Sequence, residues 1–135
     1  MSWPKKLTMQ DKVIFEYAII RVVPRVEREE FFNVGVLLYS KQERFLRVQY
    51  QIDEKKLAAF SGELDASMLR AHLKAWEVVC AGGPDGGAIG ELELPDRFRW
   101  LAATRSTIIQ SSPTHPGLCA DPAAKLEQLF RDFVR

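Results

Sequence analysis

The chain has 135 residues, 47% apolar and 27% charged, and its 19 basic and 18 acidic side chains leave a formal net charge of +1. This length and composition point to one globular domain that buries roughly two-thirds of its unfolded surface, and they exclude a disordered chain or a fibrous repeat. The balanced charge removes the global signature of a nucleic-acid binder; residues 61–94 are acidic and both flanks mildly basic, so a local basic surface stays open.

Residues 1–12 are polar and read as a loose arm ahead of a domain at 13–135. The lysines of the arm have no apolar signal core behind them, and no apolar run approaches the roughly 18 residues that span a bilayer. Cys80 and Cys119 lie among apolar or small neighbours with no close spacing, which suits thiols acting as small hydrophobes in a reducing compartment. A cytoplasmic protein without membrane contact is expected.

Val13 to Val23 predicts a long strand, apolar on both alternating faces and therefore covered on both sides. Pro24 ends it, because proline cannot donate to a ladder. Phe32 to Tyr39 predicts a second strand, and the short polar run Ser40 to Arg44 a hairpin connection. Phe45 to Tyr50 follows as a third strand, whose alternation of Leu46, Val48 and Tyr50 with Arg47 and Gln49 marks an edge or half-exposed position.

Helices come next. Asp53 to Phe60 predicts a short one. Asp65 is placed to cap another, with Met68, Leu69, His72, Leu73, Trp76, Val79 and Cys80 on its apolar stripe and Gly82 at its end. Gly82 to Gly90 reads as a flexible loop, Leu94 to Leu101 as a short helix, Thr107 to Ser112 as a fourth strand, and Thr114 to Ala120 as a turn. Asp121-Pro122 opens a last helix with Leu126, Leu129, Phe130, Phe133 and Val134 as its buried stripe. The fold class is α+β: a mainly antiparallel sheet of about four strands packed with three or four helices.

Three places carry polar groups beyond what folding needs. Arg21 shares a strand face with Phe15, Tyr17 and Ile19, and a charge there needs a partner. Arg25 and Arg28 follow it beside Glu27, Glu29 and Glu30. These residues form either a local ion-pair cluster or an anion site with arginines as bidentate donors. Asn33 and Gly35 open the second strand; the glycine signals a bulge or close backbone approach, and the asparagine serves either a turn or a ligand. Arg97 to Trp100 and Arg105 to Gly117 gather Arg99, Arg105, Ser106, Thr107, Gln110 and His115 around two isoleucines. They form either a hydrogen-bonded closing loop or a receptor for phosphate or carboxylate.

Enzyme templates mostly fail. No paired metal-ligand spacing, phosphate-binding loop or dinucleotide fingerprint is present, and no cofactor is expected. Ser111 or Ser112 near His115 lacks a third orienting residue. His72 falls on the apolar stripe of its helix and reads as a core residue.

Tyr17-Ala18-Ile19-Ile20-Arg21-Val22-Val23-Pro24, Glu30-Phe31-Phe32-Asn33-Val34-Gly35-Val36, Arg97-Phe98-Arg99-Trp100-Leu101 and the run from Arg105-Ser106-Thr107 to His115-Pro116-Gly117-Leu118 resemble the bacterial family called domain of unknown function 3037. The likeness extends from about Phe15 to the final helix. It implies a small stand-alone bacterial protein without assigned activity, and an accessory role beside a partner resembling the HipA toxin kinases. The leading expectation is a binding or accessory module. Its polar pocket would be formed by Arg21, Arg25, Asn33, Arg99, Arg105, Ser106, Thr107, Gln110 and His115. The ligand would be a small anion, a nucleotide, or an acidic or phosphorylated partner segment. The alternatives are a phosphoester hydrolase or phosphotransfer enzyme using His115 as acid or base, and a nucleic-acid accessory protein using the basic flanks.

Overall fold

The computed structural model describes residues 11–24, 30–60, 64–104 and 108–135. The arm expected at 1–12 lies almost wholly outside them.

The strands are β1 (Val13–Val22), β2 (Phe32–Ser40), β3 (Phe45–Tyr50), β4 (Ile109–Ser111) and β5 (His115–Cys119). The helices are α1 (Glu54–Phe60), α2 (Ala66–Ala81), α3 (Gly87–Gly90), α4 (Leu94–Ala102) and α5 (Pro122–Phe133). All strand pairs are antiparallel. The sheet runs β3-β2-β1, and β4 and β5 share the far side of β1 end to end. The fold is α+β, and β3 is an edge strand, as its alternating pattern predicts.

β1 is the spine. Its even-numbered residues Ile20 and Val22 join the core beneath α2 and α4, with Leu37, Leu73, Trp76, Phe98 and Leu101. Its odd-numbered residues Phe15 and Ile19 join a second core beneath α5, with Val36, Leu38, Leu126, Leu129 and Phe130. A strand apolar on both faces is thus buried between two helical layers over most of its length. The exception is Ile14, 58% exposed where neither layer reaches.

Helix ends follow their caps. The Asp65 carboxylate accepts from Ser67 N–H at 2.9 Å to start α2, and Asp121 accepts from Ala123 N–H at 3.0 Å to start α5 with Pro122 at its first position. Gly82 ends α2 at φ +82°.

Several expectations are corrected. The segment Thr114 to Ala120, read as a turn for its proline and glycine, contains β5. The reason lies in backbone polarity. Ser40 donates to Ile14 C=O and Gln42 accepts from Ile14 N–H, so the even residues of β1 turn their backbone groups toward β2 and the odd residues toward β5. Pro116 lies opposite Glu16, an even position, so its missing N–H falls on the outer edge, where no partner needs it. The loop at Gly82 to Gly90 contains a 3-10 turn at Pro84–Gly86 and the short α3. His72 and Met68 are exposed, because Leu69, Leu73, Trp76, Val79 and Cys80 fill the buried stripe of α2. Phe133 is 45% exposed, since α5 outruns the apolar part of the sheet. Among the described residues no helix is long and apolar enough to cross a membrane.

Candidate functional site

The pairing of β1 with β2 skips one residue: Ile20 lies opposite Gly35, but Arg21 lies opposite Asn33. Val34 is therefore the extra residue of a β-bulge, and Val34 and Gly35 both fall on the α2 side. The bulge delivers Asn33 to the α5 side, the face of Arg21. β4 sets Gln110 opposite Arg21 from the other flank. A row of three polar side chains, Asn33, Arg21 and Gln110, thus crosses the α5-side face at the end of β1 away from His115.

The Arg21 guanidinium lies over the Phe31 ring, its Cζ 4.3 Å from the ring centre, a cation–π contact. Its Nε is buried without a hydrogen-bond partner, and among the described residues no carboxylate is within ion-pair distance of it. The Asn33 amide donates through Nδ2 to Phe133 C=O at 3.0 Å, which fixes its orientation and leaves Oδ1 buried and unpartnered. Beside Asn33 opens a cavity of about 400 Å³, bordered by Gln51, Asp53, Lys56 and Arg135. Asp53 is committed to capping α1 through Lys55 N–H and Lys56 N–H, and Arg135 stands 3.6 Å from Glu127. Lys56 and Gln51 carried no signal in the sequence. Only the return of β3 beside β2, with Gln51 N–H donating to Val34 C=O at 2.8 Å, brings them to Asn33.

The other sequence-derived residues do not all join this row. His115 pairs with Tyr17 and its ring lies 5.3 Å from that of Tyr17. It shares the face of Arg21, but four residues away along β1, roughly 13 Å at strand rise. Phe133 links the two places, its ring 6.3 Å from Tyr17 and its carbonyl on Asn33. Arg99 sits apart. It lies on the α4 side, beside Glu16 and Tyr39 at the opposite end of β2 from Asn33, and 3.9 Å from Asp96. Arg25, Arg105, Ser106 and Thr107 lie outside the described residues, as do Glu27, Arg28 and Glu29 of the ion-pair reading.

Neither serine near His115 is placed as a nucleophile. Ser111 Oγ donates to Leu101 C=O at 2.9 Å, tying α4 to β4. Ser112 Oγ accepts from Ile19 N–H at 2.8 Å and donates to Pro113 C=O at 2.9 Å, filling the break between β4 and β5. Ser112→Ala should therefore destabilise the fold by about 1–2 kcal/mol, the scale of stranding a buried donor. A urea unfolding midpoint equal to that of the parent would show that the hydroxyl does not hold the strand break together. Burial pushes the Cys80 thiol up to about 12 and also raises Cys119, which disfavours the reactive thiolate at both.

A family model described as a protein of unknown function (DUF3037) matches residues 17–134. Neither a curated protein nor a solved structure matches the chain.

Proposed function

The chain belongs to the DUF3037 family of proteins of unknown function, and from its own side chains we propose that it is a binding module that receives an acidic group, carboxylate or phosphate, on Arg21. The observation that carries this reading is a guanidinium over the Phe31 ring, its Nε buried without a hydrogen-bond partner, with no carboxylate beside it among the described residues. A half-buried cation of this kind is stabilised by a ligand that brings the missing charge. Asn33 and Gln110 flank it in register and would orient the acidic group, and Lys56 in the adjoining cavity adds a second cation. An acidic or phosphorylated segment of a protein partner, the accessory role implied by the family resemblance, fits the same side chain. The hydrolase reading has less support, because Ser111 and Ser112 are tied to backbone carbonyls and His115 stands away from Arg21.

The test is calorimetric titration with inorganic phosphate, acetate, a nucleoside monophosphate and a phosphoserine peptide. At least one should bind, and Arg21→Gln should weaken it by about 1–3 kcal/mol, roughly a fivefold to 150-fold loss. Arg21→Lys should recover only part of the affinity, since an ammonium lacks the planar fork. Binding that is indifferent to Arg21→Gln would remove the reading.

A further inference from the structure

We propose a second binding site, for an organic anion of nucleotide size, in the trough between the β2–β3 hairpin and α4, at the end of the sheet away from Arg21. It does not depend on the reading of Arg21. A hollow of about 750 Å³ separates the hairpin tip from the first half of α4. Through Tyr39, Lys41 and Gln42 it runs into a second hollow of about 400 Å³ over the start of β1. Space on this scale holds a ligand of several rings or a nucleotide.

The walls divide the chemistry. Lys41 and Arg44 project from the hairpin, and among the described residues neither has a carboxylate within ion-pair distance. Arg99 closes the far end, and its 3.9 Å contact with Asp96 joins two largely exposed side chains, a pair that solvent weakens. Arg97 is spent on backbone carbonyls. Glu16, Glu93 and Asp96 oppose the four cations Lys41, Arg44, Arg97 and Arg99, so positive charge prevails by one. Ile14 and Pro95 supply apolar wall, and Tyr39, its ring stacked 4.8 Å from Phe98, borders both hollows. Cations at both ends of the trough and apolar wall between match a ligand with an acidic group on a flat, weakly polar body.

The hairpin is fixed in place. Ser40 Oγ donates to Ile14 C=O at 3.0 Å, and Gln42 Oε1 accepts from Ile14 N–H at 2.9 Å, so the tip is tied to β1. The backbone that carries the two cations is therefore held beside the hollow. Arg44 also adopts φ +50°, a conformation that glycine occupies more readily. An arginine held there keeps its charge at the rim at a cost in backbone strain, and strain of this kind gathers at binding sites.

Titration of the full chain with ATP, pyrophosphate and adenosine, followed by amide chemical shifts, tests the assignment. ATP should saturate with shifts at residues 39–44 and 93–99, and pyrophosphate and adenosine should each bind at least about tenfold more weakly. Arg44→Gly suits the local backbone and so retains the fold, and it should weaken ATP about tenfold, as should Lys41→Gln. Arg21→Gln should leave ATP binding at this trough unchanged, which separates the two sites. Absence of saturable shifts there, or ATP affinity unmoved in the Lys41→Gln/Arg44→Gly double variant, would overturn the proposal. Equal affinity for pyrophosphate and ATP would overturn the organic body.

Discussion

Gly35→Val should cost the fold about 3 kcal/mol or more, a large part of the 5–15 kcal/mol that holds a domain folded. A β-carbon at Gly35 would stand 2.8 Å from the Gln49 carbonyl oxygen, 3.0 Å from Tyr50 Cβ and 3.3 Å from Ile20 Cδ1. The first two belong to the paired strand β3 and cannot turn aside, while the isoleucine tip can yield only into a packed core. Strand propensity alone gives the opposite sign, since valine favours strands and glycine does not. The sign of the change therefore separates close approach from propensity. The effect extends to the candidate site, because Gly35 adjoins the bulge that turns Asn33 toward Arg21. Unfolding in urea should show a lower midpoint for Gly35→Val and an intermediate one for Gly35→Ala, about 2 kcal/mol below the parent. A midpoint at or above the parent value would mean that β2 and β3 leave room for a side chain here.

The elements most legible in the sequence are those whose signal is local. Asp65 and Asp121 cap helices within two residues of themselves, and Val13 to Val22 announces a doubly covered strand by its own composition. β5 escaped because proline and glycine are read as breakers, and only the polarity of β1 decides that Pro116 turns outward. His72 shows the same limit on a helix: Leu69, Leu73, Trp76, Val79 and Cys80 complete the buried stripe, and nothing in the spacing tells which flank residues the sheet reaches. The candidate site was half legible. Arg21 stood out as a charge on an apolar face, and Gly35 signalled the bulge. The row itself was not readable, because one skipped residue decides whether Asn33 or Val34 faces Arg21. Arg99 was grouped with Arg21 on residue type alone, and the packing of Phe98 on Tyr39 carries it to the other side of the sheet.

Arg97, two residues earlier on α4, has a part in the fold that its chemistry explains and its sequence context did not. Its Nη1 donates to Val79 C=O at 2.9 Å and Cys80 C=O at 2.7 Å, and its Nε donates to Leu92 C=O at 3.0 Å. The first two are carbonyls of the last turn of α2, at the negative end of the helix dipole, and Val79 C=O also accepts from the Gly82 N–H at 3.1 Å. The guanidinium thus caps α2 from outside and ties α4 to it. Gly82 makes the approach possible. A β-carbon there would meet Arg97 Nη1 at 2.8 Å and Cζ at 3.0 Å, at a φ of +82° that already favours glycine. Arg97→Met, which keeps the stem and removes the donors, should therefore lose about 2–4 kcal/mol, the scale of stranding carbonyls served by a charged donor. Arg97→Lys should lose less, since one ammonium retains the charge but cannot serve three carbonyls spread around a planar fork. Gly82→Ala should destabilise alone, and the double variant Gly82→Ala/Arg97→Met should fall short of the sum, because removing the guanidinium relieves the clash and leaves only the backbone cost. Strict additivity in that cycle would mean that the arginine and the glycine do not share the space at the end of α2.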